Sequence, residues 1–464
     1  MTDQSANETR KLGTEPIGRL LLQYSLPAIT AMVATSLYNL LDRIFIGQGV
    51  GPMAISGLAL TLPLMNLVIA FGALVGTGAA TLVSIRLGEK RVDQAVGILG
   101  TTVLLNLVLS SAVSLAMLVW LEPILRLFGA SPATLPYAKA FMQIILLGNV
   151  FQHSYMGLNN VMRASGHPRR AMLITLSTVA VNAALAPVFI FVCHWGIRGA
   201  AAATVTAQLA GLAGTLVHFA GRGHTVRFTR GCFRPDPRTA GELLVIGMPA
   251  FILNACACLV AILLNLKLVA HGGDYAVGAF GIINSILLCA AMVVIGLTQG
   301  MQPIAGYNFG AGRPDRVLRV LKRTIAAAMA VTTLGFLLGQ GLPRPIARLF
   351  TSDARLAGLA VTGMRLVLLA FPLVGFQMVT ANFFQSIGRP VVSIILALSR
   401  QIFFMVPLLL ALPRWLGLTG VWLALPAADL AASVLTLLVL RRGLRPLRNL
   451  GPADGDAEPA PAAG

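Results

Sequence analysis

Five stretches of this chain, residues 94–121, 171–197, 243–266, 324–343 and 366–388, contain no Asp, Glu, Lys or Arg. Each can carry a helix across a bilayer core, which takes about 20 helical residues. A sixth uncharged stretch, 44–85, is too long for one crossing, and its Gly47-Gln48-Gly49-Val50-Gly51-Pro52 segment divides it in two. Short alternating strands of the porin kind are absent. Only 11% of the residues are charged, against about 25% in a soluble domain, so lipid has to be the solvent for most of the surface.

The pattern predicts an all-α polytopic membrane protein with twelve spans, near 17–47, 53–83, 94–120, 137–162, 169–193, 197–220, 241–270, 276–306, 316–342, 358–386, 391–413 and 418–440. An N-terminal segment (1–16) precedes an N-lobe of six spans (17–220). A basic linker (221–240) leads to a C-lobe of six spans (241–443). A Pro/Ala/Gly/Asp-rich tail (444–464) reads as disordered. Lys and Arg sort by side. With the N-terminus inside, 24 fall on the inner side, Arg163 among them, and 8 on the outer side, with Arg43, Lys267 and Arg400 inside spans. Both termini are therefore expected in the cytoplasm of a bacterial inner membrane. The net charge of +19 belongs to this bias rather than to nucleic-acid binding. The five Cys and six His show no ligand or disulfide spacing, so no metal is expected.

The chain also repeats itself. Leu26-Pro27-Ala28 recurs as Met248-Pro249-Ala250, and Gly166-His167-Pro168 as Gly388-Arg389-Pro390. Pro123-Ile124-Leu125-Arg126-Leu127-Phe128 recurs as Pro345-Ile346-Ala347-Arg348-Leu349-Phe350. All three pairs share an offset of 222 residues. Two like halves with six spans each are expected to form two six-helix bundles related by a pseudo-two-fold axis along the membrane normal, with a cleft between them. Rocking such lobes exposes the cleft alternately to each side.

Ionisable groups inside spans are costly and mark function. Asp42 is the main one in the N-terminal half. It lies ~9 Å from Gly47-Gln48 at helical rise and shares a face with Tyr38 and Asn39. Two roles are open to it: a protonatable coupling group on a helix kinked at Pro27, or a structural partner of Arg43. Asn182 and Thr204 are polar but uncharged, and position alone gives them ordinary interhelical hydrogen bonds. Arg400 and Asp429 in the last two spans are expected to pair. Asn265, Asn284, Gln299 and Gln302 can hydrogen-bond a ligand, and Gly296, Gly300 and Pro303 suggest an irregular helix there. Phe151, Met156, Phe376 and Met378 read first as lipid-facing or core-packing side chains, with the cavity wall as the other place open to them.

Together these features resemble the multidrug and toxic compound extrusion (MATE) family of bacterial antiporters, and within it the MepA-like branch. The resemblance covers about 17–440. It rests on Tyr38-Asn39-Leu40-Leu41-Asp42-Arg43-Ile44-Phe45-Ile46-Gly47, on Gly296-Leu297-Thr298-Gln299-Gly300-Met301-Gln302-Pro303, on Gly306-Tyr307-Asn308-Phe309-Gly310-Ala311-Gly312 and on Ser399-Arg400-Gln401. It implies export of cationic or amphipathic small molecules driven by inward H+ or Na+, with no other cofactor, by a monomer. It also implies an N-lobe cation site at Asp42, Asn182, Ala200 and Thr204. One departure matters: where the family carries a carboxylate, four residues after Asn182, this chain has Ala186. A bound Na+ would lack that charge. The expectation is that Asp42 alone couples transport, as a protonation site. A lipid-linked saccharide flippase of the same superfamily is the nearer alternative. An integral-membrane enzyme would need a catalytic constellation that the scattered His do not supply. A channel would need symmetry around a pore.

Overall fold

The structure, a computed structural model, describes residues 10–445 except Arg222, Arg230 and Pro235. Most of the tail and of the N-terminal segment named above lies outside the described residues. Apolar runs of this length leave the backbone no partner but itself in lipid, so helices follow. The first half contains α1 (Ile17–Gly49), α2 (Pro52–Gly88), α3 (Val92–Val119), the short α4 (Leu121–Leu127), α5 (Leu135–Ala164), α6 (Pro168–Pro187) and α7 (Gly196–Ala220). A π-helical turn, Val188–Val192, extends α6. The second half contains α8 (Pro237–Gly310), α9 (Pro314–Gly341), the short α10 (Pro343–Phe350), α11 (Ala354–Val367), α12 (Phe371–Ser386), α13 (Pro390–Leu398) and α14 (Val406–Gly443).

Two of these runs are pairs of helices. Gly273 breaks α8 at φ 62°, ψ −162°, and Gly417 breaks α14 at φ 55°, ψ −135°. A side chain at either φ would meet the following carbonyl, so glycine sits at each reversal. Two chain segments are each made of consecutive elements and cross once. They are α11 with α12, joined by the 3₁₀ turn Leu368–Ala370, and α13 with the first arm of α14, joined by the π-helical turn Ser399–Met405. Counted this way, twelve spans cross among the described residues, in two bundles of six. Prolines open α2, α6, α8, α9, α12 and α13 at the first turn, where no amide donor is lost.

The repeated Pro-Ile-x-Arg-Leu-Phe motif forms α4 and α10, short helices that the span pattern does not predict. The expected irregularity around Gly296, Gly300 and Pro303 is absent, and α8 stays helical through all three. The glycines serve packing instead. A Cβ on Gly296 would lie 2.7 Å from Ile29 Cα, and one on Gly300 would lie 2.6 Å from Ser25 Cα. This is close approach of backbones, the usual role of small residues between membrane helices.

The buried cores show how the two halves meet. At the face that carries the loops after α2, α5 and α12, the cores mix the halves. Leu12, Ile17, Leu20 and Tyr24 pack with Val294, Met301, Val317 and Leu321. Val75, Ala79 and Val83 pack with Leu243 and Ile246. At the opposite face each core belongs to one half alone, one built from Ile46 to Ala203 and the other from Val260 to Ala428. Arg86 of α2 pairs with Glu242 of α8 at 3.0 Å, across the joined end. The lobes are therefore closed together at this basic face and separate toward the other.

Candidate functional site

Between the lobes lies a cavity of about 540 Å³. The first half contributes Tyr38, Thr77, Asn160, Arg163, Asn182 and Thr204, and the second contributes Asn254, Gln299, Gln302, Gln377, Gln385 and Arg400. The cavity floor is at the joined end, where Gln302 Nε2 donates to the Thr77 carbonyl (3.1 Å) and to Thr81 Oγ1 (2.7 Å). Gln385 Nε2 donates to Thr77 Oγ1 (3.3 Å) and to the Ile246 carbonyl (3.0 Å).

Tyr38, Asn182 and Thr204 form one cluster at the N-lobe wall. The Asn182 amide donates both hydrogens, to the Tyr38 hydroxyl oxygen and to Thr204 Oγ1, each at 3.1 Å. Thr204 Oγ1 donates to the Ala200 carbonyl at 3.1 Å. Its remaining capacity accepts the Tyr38 hydroxyl proton, again at 3.1 Å. Every donor in the cluster is thereby used. What is left over is acceptor: the buried Oδ1 of Asn182 has no hydrogen-bond partner. Asp42, one turn beyond Tyr38 on α1, is only 9% exposed, and its Oδ1 also lacks a partner. Among the described residues no ion pair joins it to Arg43, which is exposed. Both oxygens are acceptors left without a donor in buried surroundings. Ala186 and Ala200, both almost fully buried, complete the surroundings without adding a charge.

The ion pair expected in the C-lobe is present. Arg400 Nε donates to Asp429 Oδ1 at 2.7 Å. Gln377 Nε2 braces it by donating to the Asp429 carbonyl and to Ser433 Oγ, both at 2.6 Å. Other expected residues fall elsewhere. Asn39 and Asn265 are exposed, Asn284 is half-buried, and none of the three lines the cavity. Met156 and Met378 line it, whereas Phe151 and Phe376 do not. The charge pattern alone places Arg163 among the loop charges. Helix α5 runs on to Ala164, and the guanidinium turns into the cavity, where it donates to Gln299 Oε1 of the other lobe and to Asn160 Oδ1. Its position at a span end hid this from the sequence pattern.

The histidines also differ from the expectation of scattered side chains. His167, His218 and His224 converge, with ligand-capable atoms within 4.8 Å of one another. Arg170 can only donate, and it does so to His218 Nδ1 (3.4 Å) and His224 Nε2 (3.0 Å). The proton of each neutral ring is then on its other nitrogen, and an N–H does not ligate a metal. Burial, then His224 and Arg170, pushes His167 down to about 4. Its neutral form is favoured in the fold, so the unfolded chain binds the extra proton as pH falls from about 6.5 toward 4, and stability declines over that window. His167→Asn is expected to make that decline shallower, by about 3 kcal/mol at most. Thermal melts of the detergent-solubilised protein across this pH range measure it.

The MatE family model matches residues 27–188 and again residues 249–410, the second match displaced by the same 222 residues as the sequence repeat. The chain belongs to the MatE family. This MatE transporter is 28% identical over 428 residues to a multidrug export protein, MepA, of Staphylococcus haemolyticus, with 91% of this chain and 93% of that protein covered. A MepA of Staphylococcus aureus is 26% identical, with coverage of 91% and 94%. Among solved structures, an outward-facing multidrug resistance MATE transporter of the MOP superfamily superposes with a TM-score of 0.89 at 23% identity, covering 97% of this chain and all of that one. A MOP superfamily transporter from Pyrococcus furiosus superposes at 0.90, also at 23% identity, covering 97% and 99%. The MatE fold is thus two six-helix lobes in a multi-pass membrane protein that handles small molecules.

Proposed function

We propose that this MatE transporter exports amphipathic small molecules across a bacterial inner membrane in exchange for protons, by alternating access, as a monomer with both termini cytoplasmic. The observation that carries the reading is the unpartnered carboxylate oxygen of Asp42, held in apolar surroundings beside the Tyr38–Asn182–Thr204 cluster that lines the central cavity. A proton needs one acceptor. A sodium ion needs several oxygens, and beyond Asp42 and Asn182 the cluster has its oxygens committed to hydrogen bonds. The MepA relatives support export as the direction. The excess of Lys and Arg at the joined end supports that end as cytoplasmic. The state described then faces away from the cytoplasm, the state that releases cargo and takes up a proton.

Inverted membrane vesicles test the reading. Their lumen is acidified by respiration, and a pH-sensitive dye reports the gradient. Adding a fluorescent amphiphile is expected to dissipate the gradient while the amphiphile accumulates. Accumulation driven only by an imposed Na+ gradient, with no proton movement, would contradict proton coupling.

A further inference from the structure

The charged side chains that line the central cavity are both cations, Arg163 and Arg400, and no carboxylate lines it among the described residues. Arg400 is answered by Asp429 at 2.7 Å. Among the described residues no acid answers Arg163. Its guanidinium is held by two neutral amide oxygens, Gln299 Oε1 from the opposite lobe and Asn160 Oδ1 one turn back on its own helix. A guanidinium presents a planar fork of donors that matches a carboxylate or a phosphate two bonds at a time, and an anionic acceptor adds a Coulomb attraction that a neutral amide oxygen lacks. An amide is thus a placeholder that an acid displaces. The rest of the wall supplies what an amphiphile needs beside its acid group, with Met32, Ile69, Met156, Leu253 and Met378 around the same space.

We propose that Arg163 anchors an acidic group, carboxylate or phosphate, on the transported amphiphile at the closed end of the cavity. Cargo that engages Arg163 takes Gln299's place. The hydrogen bond between Arg163 of the N-lobe and Gln299 of the C-lobe is then lost, and with it one of the ties between lobes at the floor. Binding of acidic cargo therefore loosens the joined end. This inference rests on the export reading for its direction, but the recognition step itself is an equilibrium property of the cavity.

The test is binding to the purified full-length protein in nanodiscs of phosphatidylcholine. The probes are pyrenebutyrate, its methyl ester and the trimethylammonium analogue of the same chain length. The wild type is expected to bind the carboxylate about tenfold more tightly than the ester, the scale of one charge-assisted pair. Arg163→Gln is expected to lose that preference and bind carboxylate and ester alike, and saturable ester binding shows that the variant is folded. Arg163→Lys is expected to keep part of it. Gln299→Ala frees the guanidinium and is expected to tighten carboxylate binding severalfold. A second set of discs with added phosphatidylglycerol separates the sources: competition assigns the anchor to lipid phosphate as well, and no competition assigns it to soluble cargo. Equal affinity of the wild type for carboxylate and ester overturns the inference, as does tightest binding of the cation, a preference that survives Arg163→Gln, or weaker binding by Gln299→Ala. A carboxylate preference in protein that moves no protons would sink the export reading and leave the anchor standing.

Discussion

Replacing Asp42 with Asn is expected to reduce pH-driven export to the background leak while leaving the protein folded and as heat-stable as the wild type, or more so. The two halves of this expectation separate the two roles open to the residue. Asn is nearly isosteric and keeps an acceptor oxygen, so packing is preserved. It cannot release a proton, so a coupling role is lost outright. A structural role would show the opposite sign. If the carboxylate were a member of a buried ion pair, removing its charge would strand a cation and cost about 3–5 kcal/mol. Among the described residues no ion pair closes on Asp42: Arg43 is exposed, and the Asp42 Oδ1 has no hydrogen-bond partner. Removing an unpaired carboxylate from apolar surroundings relieves a desolvation cost. Vesicle transport and a thermal melt on the same preparation check both halves.

Gly247→Val is expected to abolish transport by a different route. A Cβ on Gly247 would sit 1.7 Å from the Leu74 carbonyl oxygen, and a Cβ on Gly78 would sit 2.1 Å from the Leu243 carbonyl oxygen. Helices α2 and α8 thus meet backbone to backbone across the lobes at this point. A valine cannot be accommodated by a rotamer change, because the obstacle is main chain. The joined end has to part, and overpacking of this kind costs about 3 kcal/mol, roughly a hundredfold in the population of the joined state. Alternating access needs that state in every cycle, and conformers of a transporter differ by only a few kcal/mol. Each lobe keeps its own core, so abundance in the membrane is expected to stay near normal. Amide hydrogen exchange in 74–88 and 243–250 is expected to rise. A valine variant that transports at the wild-type rate would show that the glycine contact is not part of the cycle.

Much of this architecture is legible in the chain. Uncharged runs fix the spans because lipid allows no other home for them. The 222-residue offset fixes the two lobes. The basic residues fix one face, and that face is where the lobes join. The site was legible only in part. Tyr38, Asn182, Thr204, Gln299 and Gln302 do line the cavity, because polar side chains inside spans have few other places to go. Asn39, Asn265 and Asn284 do not, because polarity in a span names no direction around the helix. Arg163 read as a loop charge because the end of α5 was placed two residues early, and two residues decide whether a guanidinium meets water or the cavity. His167, His218 and His224 come together only through the fold, since 51 and 57 residues separate the first from the other two. Gly296 and Gly300 carried a true signal with the wrong meaning: they allow close packing of α1, not a broken helix.

The central claim is that one carboxyl group gives up its proton when cargo enters. Proton release on binding measures this without a membrane or a gradient. Purified transporter in weakly buffered detergent at about pH 5, where a carboxyl in apolar surroundings keeps its proton, is titrated with an amphiphile that it exports, and a pH dye records the protons set free. The account expects the wild type to release a proton as each molecule binds and the Asp42→Asn protein to release none. Equal release from both proteins, or saturable binding to the wild type with no proton released, would contradict it.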